Sequence, residues 1–377
     1  MKKPKKKRSN IDKPALLLPA SFVVRSSSLS LSKSIKSRKI VYLDMMYWIN
    51  FRKSVYENTP VDKYDRVLEL LLALKRRKVI VCPANIHIAC EIMKQPDIRM
   101  QRHTARLIDD LSCGVSFHNP NAIRLIETLS YVCERLRIRT DGQQARDLVF
   151  TKMAWMSGLR LPGKELHDEN PEKHEVQISH FQFESARESL ESSVVSISHL
   201  ATQAEQMYDN ELCADATEKS KKMPASVKYE DILVSHIKSC LRSRSEIGWL
   251  AVDHVMQTDP FRSLWGGSES SRRKMYYNYI VELLSDVPAA ERVPSLFIPC
   301  ALFAIKLFGK QSFHAGDVYD ANHASIALPY CDYFFTERKL AAAISGNIGS
   351  LQLKYPCKVV GKVDEAIKIL EALNVGV

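Results

Sequence analysis

Two hydrophobic patterns divide this chain. Near both ends, short runs of β-branched and aromatic residues alternate with segments whose apolar positions recur every three or four residues; the middle carries only the second pattern. Lys39-Ile-Val-Tyr-Leu-Asp44 has the form of a buried parallel strand whose last residue emerges at the carboxyl edge of a sheet. The same reading predicts strands at 78–82, stopped by Pro83, at 332–336 and at 358–361. Amphipathic helices are predicted over 61–77, 84–94, 99–111, 301–308, 320–328, 338–344 and 364–373. Between Asn121 and Pro299 strand signals all but vanish, and Phe183, Ala186, Leu190, Val194, Ile197, Ala201, Ala204 and Tyr208 form one apolar stripe of a long helix. Leu161-Pro-Gly163 and 219–226 read as loops of this region, and the Ser-rich stretch 25–37 reads as a flexible linker, with order beginning near Arg38. The expected fold is α/β, one Rossmann-like parallel sheet interrupted by a large α-helical insertion. The expected division is a basic tail (1–37), a first core part (38–119), the insertion (120–299) and a second core part (300–377).

Charge changes this picture less than its total suggests. Of the formal net charge of +11, nearly all sits in residues 1–39, where twelve Lys and Arg face the single acid Asp12; the remainder is balanced. The basic tail is therefore a candidate nucleic-acid contact, whereas the body carries no overall bias. At 45% hydrophobic and 26% charged, the 377 residues can bury a sizeable core, and no run approaches the roughly 18 apolar residues of a membrane span. The nine cysteines include no CxxC pair and no zinc-finger spacing, so most read as small buried hydrophobes in a reducing, cytoplasmic setting. The 2–24 segment imitates a secretory signal, but Pro14 and Pro19 interrupt its apolar part.

Candidate chemistry lies in acids at strand ends, where parallel sheets place functional groups. Asp44 closes the first strand, Glu91 rides the helix after the second, Asp317 and Asp320 precede the third, and Glu337 follows it through Thr336. Each alone could be a helix cap. Together, converging carboxylates repel one another unless a cation joins them, and hard oxygen donors select Mg²⁺ or Mn²⁺.

Tyr42-Leu-Asp44 followed by Tyr47-Trp48, Glu91, Asp317-Val-Tyr-Asp320-Ala-Asn-His323 and Asp332-Tyr-Phe-Phe-Thr-Glu337 resemble the acidic motifs of PIN-like nucleases, over about 38–118 and 300–377. The resemblance implies a Rossmann-like sheet and divalent-metal cleavage of RNA or flap DNA. It casts Asp44, Glu91 and Asp320 as principal ligands, with Glu337 where the family usually has Asp and Asp317 able to share that role. It predicts a metal-dependent endoribonuclease whose helical insertion meets substrate or a regulatory protein partner. Rival readings are a catalytically weak module binding RNA or a protein, and a structure-specific DNA nuclease acting on single-stranded or flap DNA. His323 is a candidate to touch a phosphate, Tyr47 and Trp48 to stack on a base, and Arg99, Arg102 and Arg106 to steer phosphates. The plainer alternatives are a packed histidine, core aromatics and a solvated helix face. His167, His174 and His180 read as a solvated loop.

Overall fold

The computed structural model describes residues 22–57, 59, 61, 63–136, 144–153, 156, 213–224, 226–243 and 268–375. The stripe 183–208, the loop at 161–163, the three loop histidines and Lys2 to Arg8 lie outside them.

The core is a parallel sheet of β1 (Lys39–Leu43), β2 (Ile80–Val81), β5 (Tyr333–Phe335) and β6 (Lys358–Val360), in the order β2-β1-β5-β6. Its central strands are buried on both faces, which is why their sequences are continuous apolar runs. In register, Val41 lies beside Tyr333 and Leu43 beside Phe335. The chain leaves β1 toward β2 on one side and β5 toward β6 on the other, so strand order reverses between β1 and β5. The α/β class, the four strands and their common direction agree with the expectation from the sequence.

Helices α2 (Met45–Tyr56) and α3 (Tyr64–Arg76) connect β1 to β2. After β2 come α4 (Ile86–Met93) and α5 (Ile98–Ser112), started by the Asn85 and Asp97 side chains, which accept from the N–H groups of Ile88 and Arg99. Strand β3 (Val115–Phe117) then bridges to Ala84, with Phe117 N–H donating to Ala84 O at 2.9 Å. It pairs antiparallel with β4 (Phe150–Lys152), reached through α6 (Pro120–Arg135) and α7 (Ala145–Leu148). This short strand lies within the 120–299 segment expected to be mostly helical; three residues are too few to show a period. Residues 213–222 are helical, so the loop expected at 219–226 begins later, at Met223.

The remaining helices are α8 (Tyr229–Ser243), α9 (Glu269–Leu284), α10 (Val287–Ala290), α11 (Pro294–Phe308), α12 (Ala315–Tyr330), α13 (Arg338–Ser345), α14 (Leu351–Lys354) and α15 (Val363–Val375). α11 packs on α8 and α12, and α15 on α3. The boundary drawn at 299/300 falls inside α11, where Pro299 removes the N–H that would bond the Ser295 carbonyl. Arg124 repairs this loss, its Nη2 donating to Ser295 O at 2.8 Å. The neighbouring Glu127 carboxylate accepts from Ser295 N–H at 2.9 Å and Oγ–H at 2.5 Å and from the Tyr330 hydroxyl, tying α6 to α11 and α12. Burial pushes its pKa up to about 7 against these hydrogen bonds and the Arg124 charge.

The Ser-rich linker is also corrected. Residues Phe22–Ile35 form helix α1, which packs on α7 and β4. Ile35 is buried, and Ser28 Oγ lies 3.0 Å from His118 Nε2, a ring that burial lowers to about 4 and so keeps neutral at pH 7. Ser32 donates to Asp147 at 3.4 Å. The serines hid the helix because some of its docking face is polar. Ile35→Ala is expected to lower unfolding stability by ~2–4 kcal/mol in denaturant titration, the usual cost of truncating a buried isoleucine; a change within error would return the segment to a free linker.

Candidate functional site

The strand-order reversal brings the carboxyl ends of β1 and β5 together. Asp44 N–H donates to Phe335 O at 2.9 Å, and Thr336 Oγ1–H donates to Asp44 Oδ2 at 2.5 Å. Asp44, 6% exposed, thus has one oxygen held by the neighbouring strand while its backbone starts α2. Glu337, the next residue along, starts α13, its carboxylate making no capping bond and no ion pair with a described residue.

From the other side α12 presents Asp320 and His323, three residues apart and hence on one face. Burial, then the charges of Asp44 and Glu337, raise the Asp320 carboxyl to about 7; the charge of His323 opposes them, and that of Asp317 adds to them. Three acids therefore crowd the edge of β1 and β5. Their oxygens nevertheless do not close into a set within 4.8 Å of one another; among the described residues only His236, Cys240 and Cys300 do so.

Glu91 is near but differently engaged. Its Oε2 lies 2.7 Å from His323 Nε2, and His323 Nδ1 lies 2.6 Å from the Tyr42 hydroxyl. Burial lowers the His323 pKa, but the Glu91 hydrogen bond and the charges of Glu91, Asp44 and Asp320 outweigh it, leaving it raised. Tyr42, two residues before Asp44, projects from the same face of β1 and supplies the partner of the second ring nitrogen. The sequence hid Tyr42 in an apolar run.

Several expected roles change. His323 is wholly buried between Tyr42 and Glu91, so it meets no substrate directly. Tyr47 and Trp48 are wholly buried on α2: Tyr47 packs edge-on to Phe51 and Tyr64, and Trp48 donates to Leu43 O at 3.2 Å. Neither can stack on a base, and the core reading is the correct one. Asp317 is a cap and an ion-pair partner: it accepts from His314 N–H at 2.7 Å and contacts the Lys306 ammonium, so its charge is already offset. Arg99 pairs with Asp97 at 3.0 Å, while Arg102 and Arg106 are exposed on the same α5 face.

A second cluster escaped the sequence reading. His236 and Cys240, one turn apart on α8, meet Cys300 of α11. Only the His-x₃-Cys half of this group is local in sequence. Compared with known proteins, the chain matches no family model, no curated protein and no solved structure. Among the described residues, no helix is long and apolar enough to cross a membrane.

The raised Asp320 has a signed consequence. Between about pH 4 and about 7 the folded chain holds a proton there that the unfolded chain has released, so stability falls as pH rises through this window. Asp320→Asn is expected to flatten that fall and to raise Tm at pH 8 by a few degrees, because it removes the buried charge and keeps the shape. Parallel Tm-against-pH curves for wild type and variant would show that Asp320 is not the crowded group.

Proposed function

We propose that the chain is a divalent-metal-dependent endoribonuclease of the PIN-like kind, with its site at the carboxyl edge of β1 and β5. The observation that carries the reading is the placement of Asp320 beside Asp44 and Glu337 at a buried edge, where burial first, and then those two charges, lift its carboxyl to about 7. Carboxylates packed this closely at a strand-order reversal disfavour their own ionisation, and a hard divalent cation offsets that repulsion. The donor set therefore fits Mg²⁺ or Mn²⁺, with Asp44, Asp320 and Glu337 as the holding residues. Such an ion supplies charge neutralisation at a phosphodiester.

The surrounding residues have distinct tasks. Thr336 fixes one Asp44 oxygen, which leaves the other for an ion. His323, held by Tyr42, orients Glu91 through one oxygen, so Glu91 acts beside the site through its remaining oxygen. Asp317 anchors the start of α12, which carries Asp320. Arg102 and Arg106 provide exposed positive charge on α5, and the basic residues of 1–39 add a salt-sensitive attraction for a polyanion. RNA is the substrate proposed; the family resemblance covers RNA and flap DNA alike, and the assay below separates them.

The test is cleavage of labelled RNA and single-stranded DNA by the full chain with Mn²⁺ or EDTA. Wild type should cut RNA only with the metal. Asp44→Asn and Asp320→Asn should each lose at least ~100-fold, and His323→Gln about 10–100-fold, the range for residues that orient a metal's ligands. Circular dichroism should show all three folded. Wild-type protein that cuts neither polymer and binds no Mn²⁺ by calorimetry would sink the nuclease reading.

A further inference from the structure

The second cluster differs from the acids in chemistry. Helices α8 and α11 pack along one another, and at their contact the His236 nitrogen, the Cys240 sulfur and the Cys300 sulfur all lie within 4.8 Å of one another. His236 Nε2 stands 3.7 Å from Cys240 Sγ. Tetrahedral bonds of about 2.0–2.1 Å to nitrogen and about 2.3 Å to sulfur place such ligand atoms roughly 3.5–3.6 Å apart, so this edge is already at ligand spacing. The imidazole does not turn freely. Its ring lies flat on Phe303, centroids 3.9 Å apart and planes within 4°, and Phe303 is one turn on from Cys300. Cys300 is 1% exposed, whereas His236 and Cys240 are partly exposed, so the cluster is open toward solvent on the α8 side.

We propose that His236, Cys240 and Cys300 form a zinc site that clamps α8 to α11. Two thiolates and an imidazole are borderline-soft donors that suit Zn²⁺ and not the Mg²⁺ or Mn²⁺ of the carboxylate edge. The two thiolates cancel the charge of the ion, and the fourth position falls to water or an anionic group. Arg124, held on the Ser295 carbonyl, adds the nearby positive charge that favours an anion there. Binding two helices to one ion stabilises the folded chain by an amount that grows with the logarithm of free zinc above the dissociation constant, since the unfolded chain does not hold the three ligands together.

The full chain, purified reduced and stripped with a chelator, is titrated with Zn²⁺ against a chromophoric competitor. About one equivalent should bind, Tm should rise with zinc concentration, and Co²⁺ in its place should give thiolate charge-transfer and tetrahedral visible bands. Cys240→Ser and Cys300→Ser should each weaken Zn²⁺ binding at least ~10-fold, while Cys113→Ser, exposed elsewhere, leaves it unchanged. Asp320→Asn should also keep the zinc, which separates this site from the proposed nuclease centre. Alkylation mapped by mass spectrometry on wild-type protein serves where a variant fails to fold: zinc should protect Cys240 and Cys300. Equal alkylation of both thiols with and without zinc, zinc bound as tightly by both serine variants, or no zinc bound by wild type overturns the proposal.

Discussion

The pairing of β1 with β5 is the constraint on which the rest of this structure depends. It places Asp44 against Thr336, sets Glu337 beside them, and gives α12 a floor across which Asp320 and His323 can face the same edge. Every other element can be described by its distance from that seam: α2 and α13 start at it, and β2 and β6 extend it. β3 and β4 continue the surface past Ala84. The seam also explains why acids accumulate there. The ends of two buried parallel strands are the place where a chain leaves the core without leaving the protein, so charged groups arrive partly desolvated and close together.

Two polar devices elsewhere compensate for departures from regular structure. Pro299 would cost α11 a backbone hydrogen bond, and Arg124 restores it from another helix. Glu127 would be an isolated buried acid, and Ser295 with the Tyr330 hydroxyl makes it a junction of three helices. Both repairs meet at Ser295. The helical half of the molecule is thus tied to the α12 side of the acidic edge by directional bonds as well as by packing, which limits how far α12 can shift.

Most of the sheet was legible because buried parallel strands leave continuous apolar runs, and Asp44 and Glu337 could be singled out because each directly follows such a strand or its Thr336. What was hidden was tertiary. Glu91 and Asp317 looked like equals of the other acids until His323 and Lys306 were seen to engage them. Tyr47 and Trp48 follow β1 directly, and helix α2 turns them inward. Helix α1 was masked by its serines, whose partners His118 and Asp147 lie far along the chain. The His236, Cys240 and Cys300 group joins two helices whose spacing no local pattern records.

The β1–β5 seam also fixes when the acidic edge can form. Ile40 and Asp332, hydrogen-bonded at its foot, are 292 residues apart, and a ribosome adding about 5–20 residues per second needs roughly 15–60 s to span that interval. Throughout it, β1 has no β5, Asp44 has no Thr336, and Asp320 and Glu337 have not been made. A nascent chain therefore carries the apolar edge of β1 unpaired, a hazard that favours early cover by the elements that follow it. It carries no assembled acidic edge at all. Only a chain synthesised past Glu337 can bring Asp44, Asp320 and Glu337 to one edge.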